Sequence, residues 1–297
     1  MVKHTALKRP LLGAHMSIAG GMDKAIERGC SIGCTCIQVF TSYNNRWEQK
    51  ILKPDEIKSF KTLKKESTIK IVTAHNSYLH NLASPDPVLQ EKSINGMIGE
   101  INRCSALEIP FVTIHPGSAT DGIKKEGIYR ISNALNRILK STGESGVTIC
   151  LETTAGGGNH LGAKFEELAQ VLKNMMQPSR IGICMDTCHL FAAGYDFTTE
   201  KNYQQMFDLF DTIIGFSYLK VIHCNDSKRE LSSKIDRHEQ IGEGMIGLIP
   251  FGFFMNDIRL SNISKILETP KGEDLKEDVI NLKKLRSLFK SKKQCIL

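Results

Sequence analysis

With 297 residues, 41% of them hydrophobic and 24% charged, the chain has the composition of an ordinary soluble globular protein and the length to bury a substantial core. No apolar stretch approaches the roughly 20 residues needed to cross a bilayer, the first residues lack a secretory apolar segment, and nine scattered cysteines form no disulfide framework. These features predict an intracellular, reducing location with no membrane partner, nucleus and cytoplasm being undistinguished, while 39 basic against 32 acidic residues, a formal charge of +7, allow a polyanionic partner without demanding one.

Taken in chain order, eight short apolar runs read as strands: Leu11 to Met16, Cys36 to Phe40, Ile69 to Ala74, Phe111 to Ile114, Val147 to Leu151, Ile181 to Met185, Leu219 to Ile222 and Ile263 to Leu267. They are rich in Ile, Val and Leu and do not alternate cleanly with polar residues, the pattern of strands covered on both faces. Helix-like segments lie between them. One groups Ile94, Met97, Ile98 and Ile101 on a single face, another Leu168, Val171, Leu172 and Met175, and the last Val279, Leu282, Leu285 and Phe289. The basic residues Lys283, Lys284, Arg286, Lys290, Lys292 and Lys293 read as the solvated face and tail of that last helix. Cys295 in "KKQCIL" stands one residue short of a prenylation motif. No repeat, linker or composition change divides the chain, so residues 1–297 read as one domain. Strands alternating with helices over this length predict an α/β fold, a single (β/α)8 TIM barrel whose functional site sits at the C-terminal face of the strands. A doubly wound open sheet is the alternative, but it places its ligand at one switch point rather than on most strands.

Six consecutive strands end in an ionisable residue: His75, His115, Glu152, Asp186, His223 and Glu268. Any one of them alone reads more naturally as a satisfied loop histidine or a surface carboxylate. Six at one mouth are costly to bury unless a cation neutralises them. Mixed imidazole and carboxylate donors suit Zn²⁺ or a neighbouring first-row metal. His189, three residues beyond Asp186, and Asp236 with His238 in "DRHEQ" form a further three-donor set. Nine candidates exceed what one metal uses, so two or three ions are expected. Such a centre suits phosphodiester hydrolysis; metal-assisted sugar isomerisation is the competing chemistry on the same fold.

Near-complete matches run through "GAHMSIAGG", "AHNSYLHNL", "IHPGS", "LETTAGGGNHLG", "ICMDTCHLFAAGYD", "HCNDSK", "DRHEQIGEGMIG" and "ILETP". In these segments the chain resembles the endonuclease IV family, zinc-dependent endonucleases acting at abasic (AP) sites. The resemblance implies three zinc ions, with Mn²⁺ the open alternative at one position. It implies that Glu152 bridges two ions, that His75 and His115 complete one site, and that Asp186, His223 and Glu268 complete the second. His189, Asp236 and His238 would hold the third. Glu152 and Glu268 would be the catalytic carboxylates, orienting the attacking hydroxide. The implied reaction cuts double-stranded DNA 5′ to an abasic site, leaving a 3′-hydroxyl and a 5′-deoxyribose phosphate, and trims blocked 3′ ends. Tyr78 and Leu79 match the family's residues that insert into the minor groove, where a missing base lowers the cost of unstacking. The loop "FTSYNNRWEQK" departs from the family, placing Asn45 where an intercalating arginine is expected and Arg46 one residue later; Arg46 is the candidate substitute.

Other residues read more plainly. His15 faces the same mouth, with support of a ligand and simple packing both open. Cys184, Cys188 and Cys224 read as small buried hydrophobes rather than thiolate ligands. His4, His80 and His160 receive no role. A monomer is expected, because the face that carries the site must stay open to DNA. Beside the AP endonuclease stand two other classes, a sugar isomerase or epimerase on the same barrel and a non-catalytic binder of damaged DNA.

Overall fold

In the computed structural model, which describes residues 10–290, every apolar run becomes a strand within two residues of its expected ends. The order is β1 (Leu12–His15), α1 (Met22–Ser31), β2 (Cys36–Val39), α2 (Pro54–Glu66), β3 (Ile71–His75), α3 (Pro87–Ala106), β4 (Phe111–Ile114), α4 (Lys124–Ser141), β5 (Thr148–Glu152) and α5 (Phe165–Lys173). It continues through β6 (Ile181–Asp186), α6 (Thr187–Ala193), α7 (Glu200–Ile213) and β7 (Leu219–His223). A two-residue antiparallel ribbon follows, β8 (Asp226–Ser227) with β9 (His238–Glu239), then α8 (Leu248–Asn256), β10 (Ser264–Leu267) and α9 (Lys276–Leu288).

Eight strands close into a parallel barrel in the order β1-β10-β7-β6-β5-β4-β3-β2. This is the single (β/α)8 TIM barrel expected, and the open sheet is excluded by the pairing of β1 with both β2 and β10. The strands touch tightly at Gly13, where a Cβ would lie 1.6 Å from the carbonyl oxygen of Cys36, so no larger residue fits there.

Because side chains alternate along a strand, residues two apart share the barrel interior. Leu11, Cys36, Cys150, Cys184, Val221 and Ile266 form one buried cluster filling that interior. Moving two residues along β5, β6 and β7 from Cys150, Cys184 and Val221 reaches Glu152, Asp186 and His223. The same step from Ile266 reaches Glu268. The apolar plug thus forms a floor, and on these four strands the next inward position carries a donor at the mouth. A larger core, including Phe165, Phe197, Phe207, Phe210, Phe251 and Phe254, packs between the strands and the surrounding helices.

Helix α9 departs from the expected pattern. Val279 is 44% exposed and Phe289 lies beyond the helix, whereas Asp278 and Asn281 are fully buried beside Leu282 and Leu285. Their partners make this possible: Lys271 pairs with one oxygen of Asp278 at 2.7 Å, and Asn281 bonds Gln240, Thr269 and the amide of Ile241. The basic run is likewise partly engaged, Lys284 with Glu243 and Arg286 with the carbonyl of Gly33. His4, Lys292, Lys293 and Cys295 lie outside the described residues. Among the described residues no helix is long and apolar enough to cross a membrane.

Candidate metal centre

Glu152, at the end of β5, is completely buried yet is surrounded by imidazoles. Its Oε2 lies 3.1 Å from His75 Nε2 and 3.0 Å from His115 Nε2, and its Oε1 lies 2.9 Å from His223 Nδ1 and 3.4 Å from His189 Nδ1. Glu268 approaches the same His223 Nδ1 from β10 at 3.1 Å. Asp186 Oδ2 stands 3.8 Å from His223 Nδ1 and 3.6 Å from His238 Nε2. On the loop before and within β9, Asp236 brings one oxygen to 3.0 Å from His189 Nε2 and the other to 3.3 Å from His238 Nε2.

Among the described residues, five groups have all their donor atoms within 4.8 Å of one another. Two of them include the buried thiols Cys184 or Cys188, and the three built from imidazoles and carboxylates alone are His75, His115 and Glu152; Glu152, Asp186, His223 and Glu268; and His189, Asp236 and His238. All nine residues singled out in the sequence are therefore brought together, and Glu152 belongs to two sets. Local structure explains how distant residues meet. Asp186 ends β6 and caps α6, accepting from the amide of His189 at 2.8 Å, while Gly194 at φ 105° closes that short helix. Ser227 pairs with His238 across the β8–β9 ribbon, which swings His238 and Asp236 back over the mouth.

The outer nitrogens of four imidazoles are engaged. His75 Nδ1 bonds the carbonyl of Asn76 at 2.7 Å, His189 Nδ1 that of Thr153 at 2.8 Å, and His238 Nδ1 that of Glu268 at 3.1 Å. His223 Nε2 bonds Gln38 Oε1 at 2.9 Å. A carbonyl can only accept, so each ring carries its proton outward and presents a lone pair to the donor sets. His189 Nε2 and His238 Nε2 are buried without a hydrogen-bond partner, although Asp236 oxygens lie close, because the alignment of a hydrogen bond is missing. Orphaned nitrogens beside a carboxylate are what a cation-binding set leaves.

Electrostatics point the same way. Burial alone would push the Glu152 and Glu268 carboxyls up, but His223 chief among the neighbouring imidazoles holds both well below the usual carboxylate range. Burial would push His189 down, yet Asp186, Asp236 and Glu152 raise it, an attraction for positive charge that a bound cation would satisfy in place of a second ring proton. Carboxylates clustered at one mouth attract positive charge, and bound cations would supply it. Burial pushes the thiols of Cys184 and Cys224 up to about 12 and raises that of Cys188 too. They behave as buried hydrophobes, with Cys188 Sγ directed at the carbonyl of Arg237.

Around the donors, His15 Nδ1 is 3.6 Å from Glu268 Oε1, so it backs a candidate ligand rather than merely packing. Asn225 donates to Asp186 Oδ2 at 2.6 Å and accepts from the amide of Glu268 at 2.7 Å. Gln38 and Asn225 were not legible as functional residues. The available signal was a polar residue inside an apolar run, "CIQVF", at a position that alternation turns inward.

The three candidate DNA-contact residues stand on the rim. Tyr78 is 60% exposed, with its ring 5.5 Å from that of His75 and 6.1 Å from that of His115. Leu79 is half-buried beside it, and Arg46 is exposed with its guanidinium 5.3 Å from the Tyr43 ring. Their two loops are joined: Ser77 Oγ donates to the carbonyl of Asn44, and Trp47 packs on His80 at 5.5 Å. Beneath them Arg103 bonds Thr41 and Gln49, near the two ends of the first loop, and pairs with Glu100 at 2.6 Å.

A family model described as a xylose isomerase-like TIM barrel matches residues 26–285. A relative from Geobacter sulfurreducens named probable endonuclease 4 is 45% identical over 279 residues, covering 94% of this chain and 94% of the relative. The solved structure of endonuclease IV from Thermus thermophilus superposes with a TM-score of 0.83 at 33% identity, covering 94% of this chain and 98% of that one. A D-tagatose 3-epimerase-like protein aligns at a TM-score of 0.70 and 18% identity, over 92% of this chain and 95% of that one, which is a likeness of fold alone.

Proposed function

The chain belongs to the endonuclease IV family, and from that premise we propose that it is a zinc-dependent AP endonuclease of base-excision repair. It hydrolyses the phosphodiester 5′ to an abasic site in duplex DNA, leaving a 3′-hydroxyl and a 5′-deoxyribose phosphate, and it also trims blocked 3′ ends. The observation that carries this reading is the grouping of nine donors into three sets that share one mouth, with an exposed aromatic at the rim. A mononuclear sugar isomerase has no use for the separate set of His189, Asp236 and His238. A non-catalytic binder has no use for any of the three.

Under this reading His75, His115 and Glu152 would hold one zinc, Asp186, His223 and Glu268 together with Glu152 a second, and His189, Asp236 and His238 a third. When bound, these cations lower the pKa of water and neutralise phosphoryl oxygens in an in-line displacement. Glu152 and Glu268 orient the attacking water as acceptors, their ionised state favoured by the facing imidazoles. Three divalent cations over four carboxylates leave an excess of positive charge, which suits a phosphodiester. Tyr78 and Leu79 enter the minor groove and hold the gap left by the missing base, while Arg46 contacts the strand beside it. The mouth must accommodate a duplex, so the protein acts as a monomer.

The test is incision of a duplex carrying one tetrahydrofuran abasic analogue, with and without chelator. Metal-dependent cutting 5′ to the lesion is expected. An intact duplex after incubation with the zinc-loaded protein overturns the reading.

A further inference from the structure

Strand β2 contributes no ligand to any of the three sets, yet it carries a fully buried amide directly behind them. Gln38 Nε2 donates to Glu268 Oε1 at 2.5 Å and lies 3.1 Å from His15 Nδ1. Gln38 Oε1 accepts from His223 Nε2 at 2.9 Å and faces Thr73 Oγ1 at 3.4 Å. The amide therefore touches two members of one donor set, His223 from β7 and Glu268 from β10.

The amide has only one workable orientation. Reversing it would set its oxygen against the Glu268 carboxylate, which has no proton to give. It would also set its NH₂ against His223 Nε2, so that this nitrogen would have to accept and the ring proton would move to Nδ1. Glu268 thus fixes the direction of Gln38, and Gln38 in turn fixes the proton of His223 on Nε2. The lone pair of His223 is left on Nδ1, the nitrogen that faces Glu152 at 2.9 Å and Glu268 at 3.1 Å. The bond to Glu268 Oε1 likewise leaves Oε2 as the oxygen turned to His223. Buried polar groups that use every atom in one direction specify a single arrangement rather than merely filling space.

We propose that Gln38 is a positioning residue for the reaction, setting the tautomer of His223 and the rotation of the Glu268 carboxylate so that both present their free atoms to the same cation. The inference rests on the reading of His223 and Glu268 as zinc ligands. It extends that reading to a residue that touches neither cation nor DNA. Register supports the placement, since Gln38 pairs with His15 of β1 and His15 itself backs Glu268. The two barrel strands without ligands thus support ligands on β7 and β10.

The experiment compares zinc-loaded wild type, Gln38→Met and Gln38→Glu as full chains. Methionine keeps the volume and removes both hydrogen bonds; glutamate keeps an acceptor for His223 and loses the donor to Glu268. Thermal melts of the metal-free proteins check folding. Zinc release to a colorimetric chelator, the visible spectrum of the cobalt-substituted proteins, and kcat and KM on the tetrahydrofuran duplex are then measured. Loss of an outer-sphere partner is expected to speed release of one zinc from Gln38→Met by about tenfold or more. For both variants kcat should fall by about tenfold with KM within about twofold, and the cobalt bands should shift. Zinc release, cobalt spectrum and kcat all indistinguishable from wild type in a folded variant overturn the inference alone. A wild-type protein that neither holds zinc nor cuts the duplex overturns the functional reading, and this inference with it.

Discussion

Asp186 Oδ1 accepts from the backbone amide of His189 at 2.8 Å, so a member of one donor set caps the helix that delivers a member of another. Its second oxygen faces His223 and His238. One carboxylate thus performs two separable tasks, and substitution can divide them. Asp186→Asn keeps a capping oxygen but removes the charge and the acceptor that Asn225 uses; it should bind fewer zinc ions. Asp186→Ala loses the cap as well, at an additional cost of about 1 kcal/mol. Elemental analysis and urea unfolding of the metal-free proteins check both arms. Equal stability of the two variants would show that the cap contributes nothing.

Zinc removal should destabilise the whole mouth. A ligand present at 1,000 times its Kd adds about 4 kcal/mol to the folded state. For a chain of this size each kcal/mol is about 2 °C in Tm, so stripping even one site should lower Tm by about 8 °C. Calorimetry before and after dialysis against chelator, followed by zinc re-addition, measures the effect. A melting temperature that ignores the chelator contradicts a resident metal centre.

Glu268 separates binding from chemistry. Its carboxylate sits at the mouth beneath the rim loops and meets His223, Gln38 and His15. Glu268→Gln preserves the shape and removes the charge, so incision should fall by about 1,000-fold, or about 4 kcal/mol of transition-state stabilisation. The affinity for an abasic duplex should stay within about tenfold, because no rim residue changes. Retained incision would remove Glu268 from the catalytic pair.

The rim residues make the opposite prediction. Tyr78→Ala, Leu79→Ala and Arg46→Ala should lower kcat/KM on an abasic duplex, Tyr78 by about 10- to 100-fold, the scale of one stacked base. Zinc content should be unchanged, since none of the three belongs to a donor set. Arg46 is the sharpest case, because its guanidinium rests over Tyr43 rather than reaching across the mouth. An Arg46→Ala enzyme with wild-type kcat/KM would mean that the shifted arginine does not replace the family's intercalating residue.

Much of this was legible in the sequence for a physical reason. Parallel barrel strands are buried on both faces, so they appear as plain apolar runs, and the next inward residue after each run is the one that meets the mouth. His75, Glu152 and Glu268 could be found by that step alone. Gln38 and Asn225 could not, because a buried amide differs from a surface one only in its partners, here 185 positions away for Gln38 and His223. Helix α9 misled for the same reason: Asp278 and Asn281 look solvated until Lys271 and Gln240 arrive to satisfy them. The β8–β9 ribbon, two residues per strand, is too short to leave a periodic signal.

His80 supplies a pH test that is independent of the metal centre. Its ring is half-buried, packed on Trp47 and against Gly96, where a Cβ would lie 2.2 Å from Nε2, and its Nδ1 has no hydrogen-bond partner. Burial, reinforced by the charge of Arg103, lowers its pKa from 6.5 to about 4. The folded state therefore refuses a proton that the unfolded chain accepts between those two values. Its contribution to stability is fully present above about pH 6.5 and is lost as pH falls towards 4, by about 3 kcal/mol at most. Urea midpoints of the metal-free wild type should drop between pH 7.5 and 4.5. In His80→Gln, which cannot titrate, the drop should be smaller by roughly that amount, with the remaining titrations common to both proteins. The same pH dependence in wild type and variant would mean that His80 is charged in the folded state, and that the packing of Trp47 on it does not exclude water.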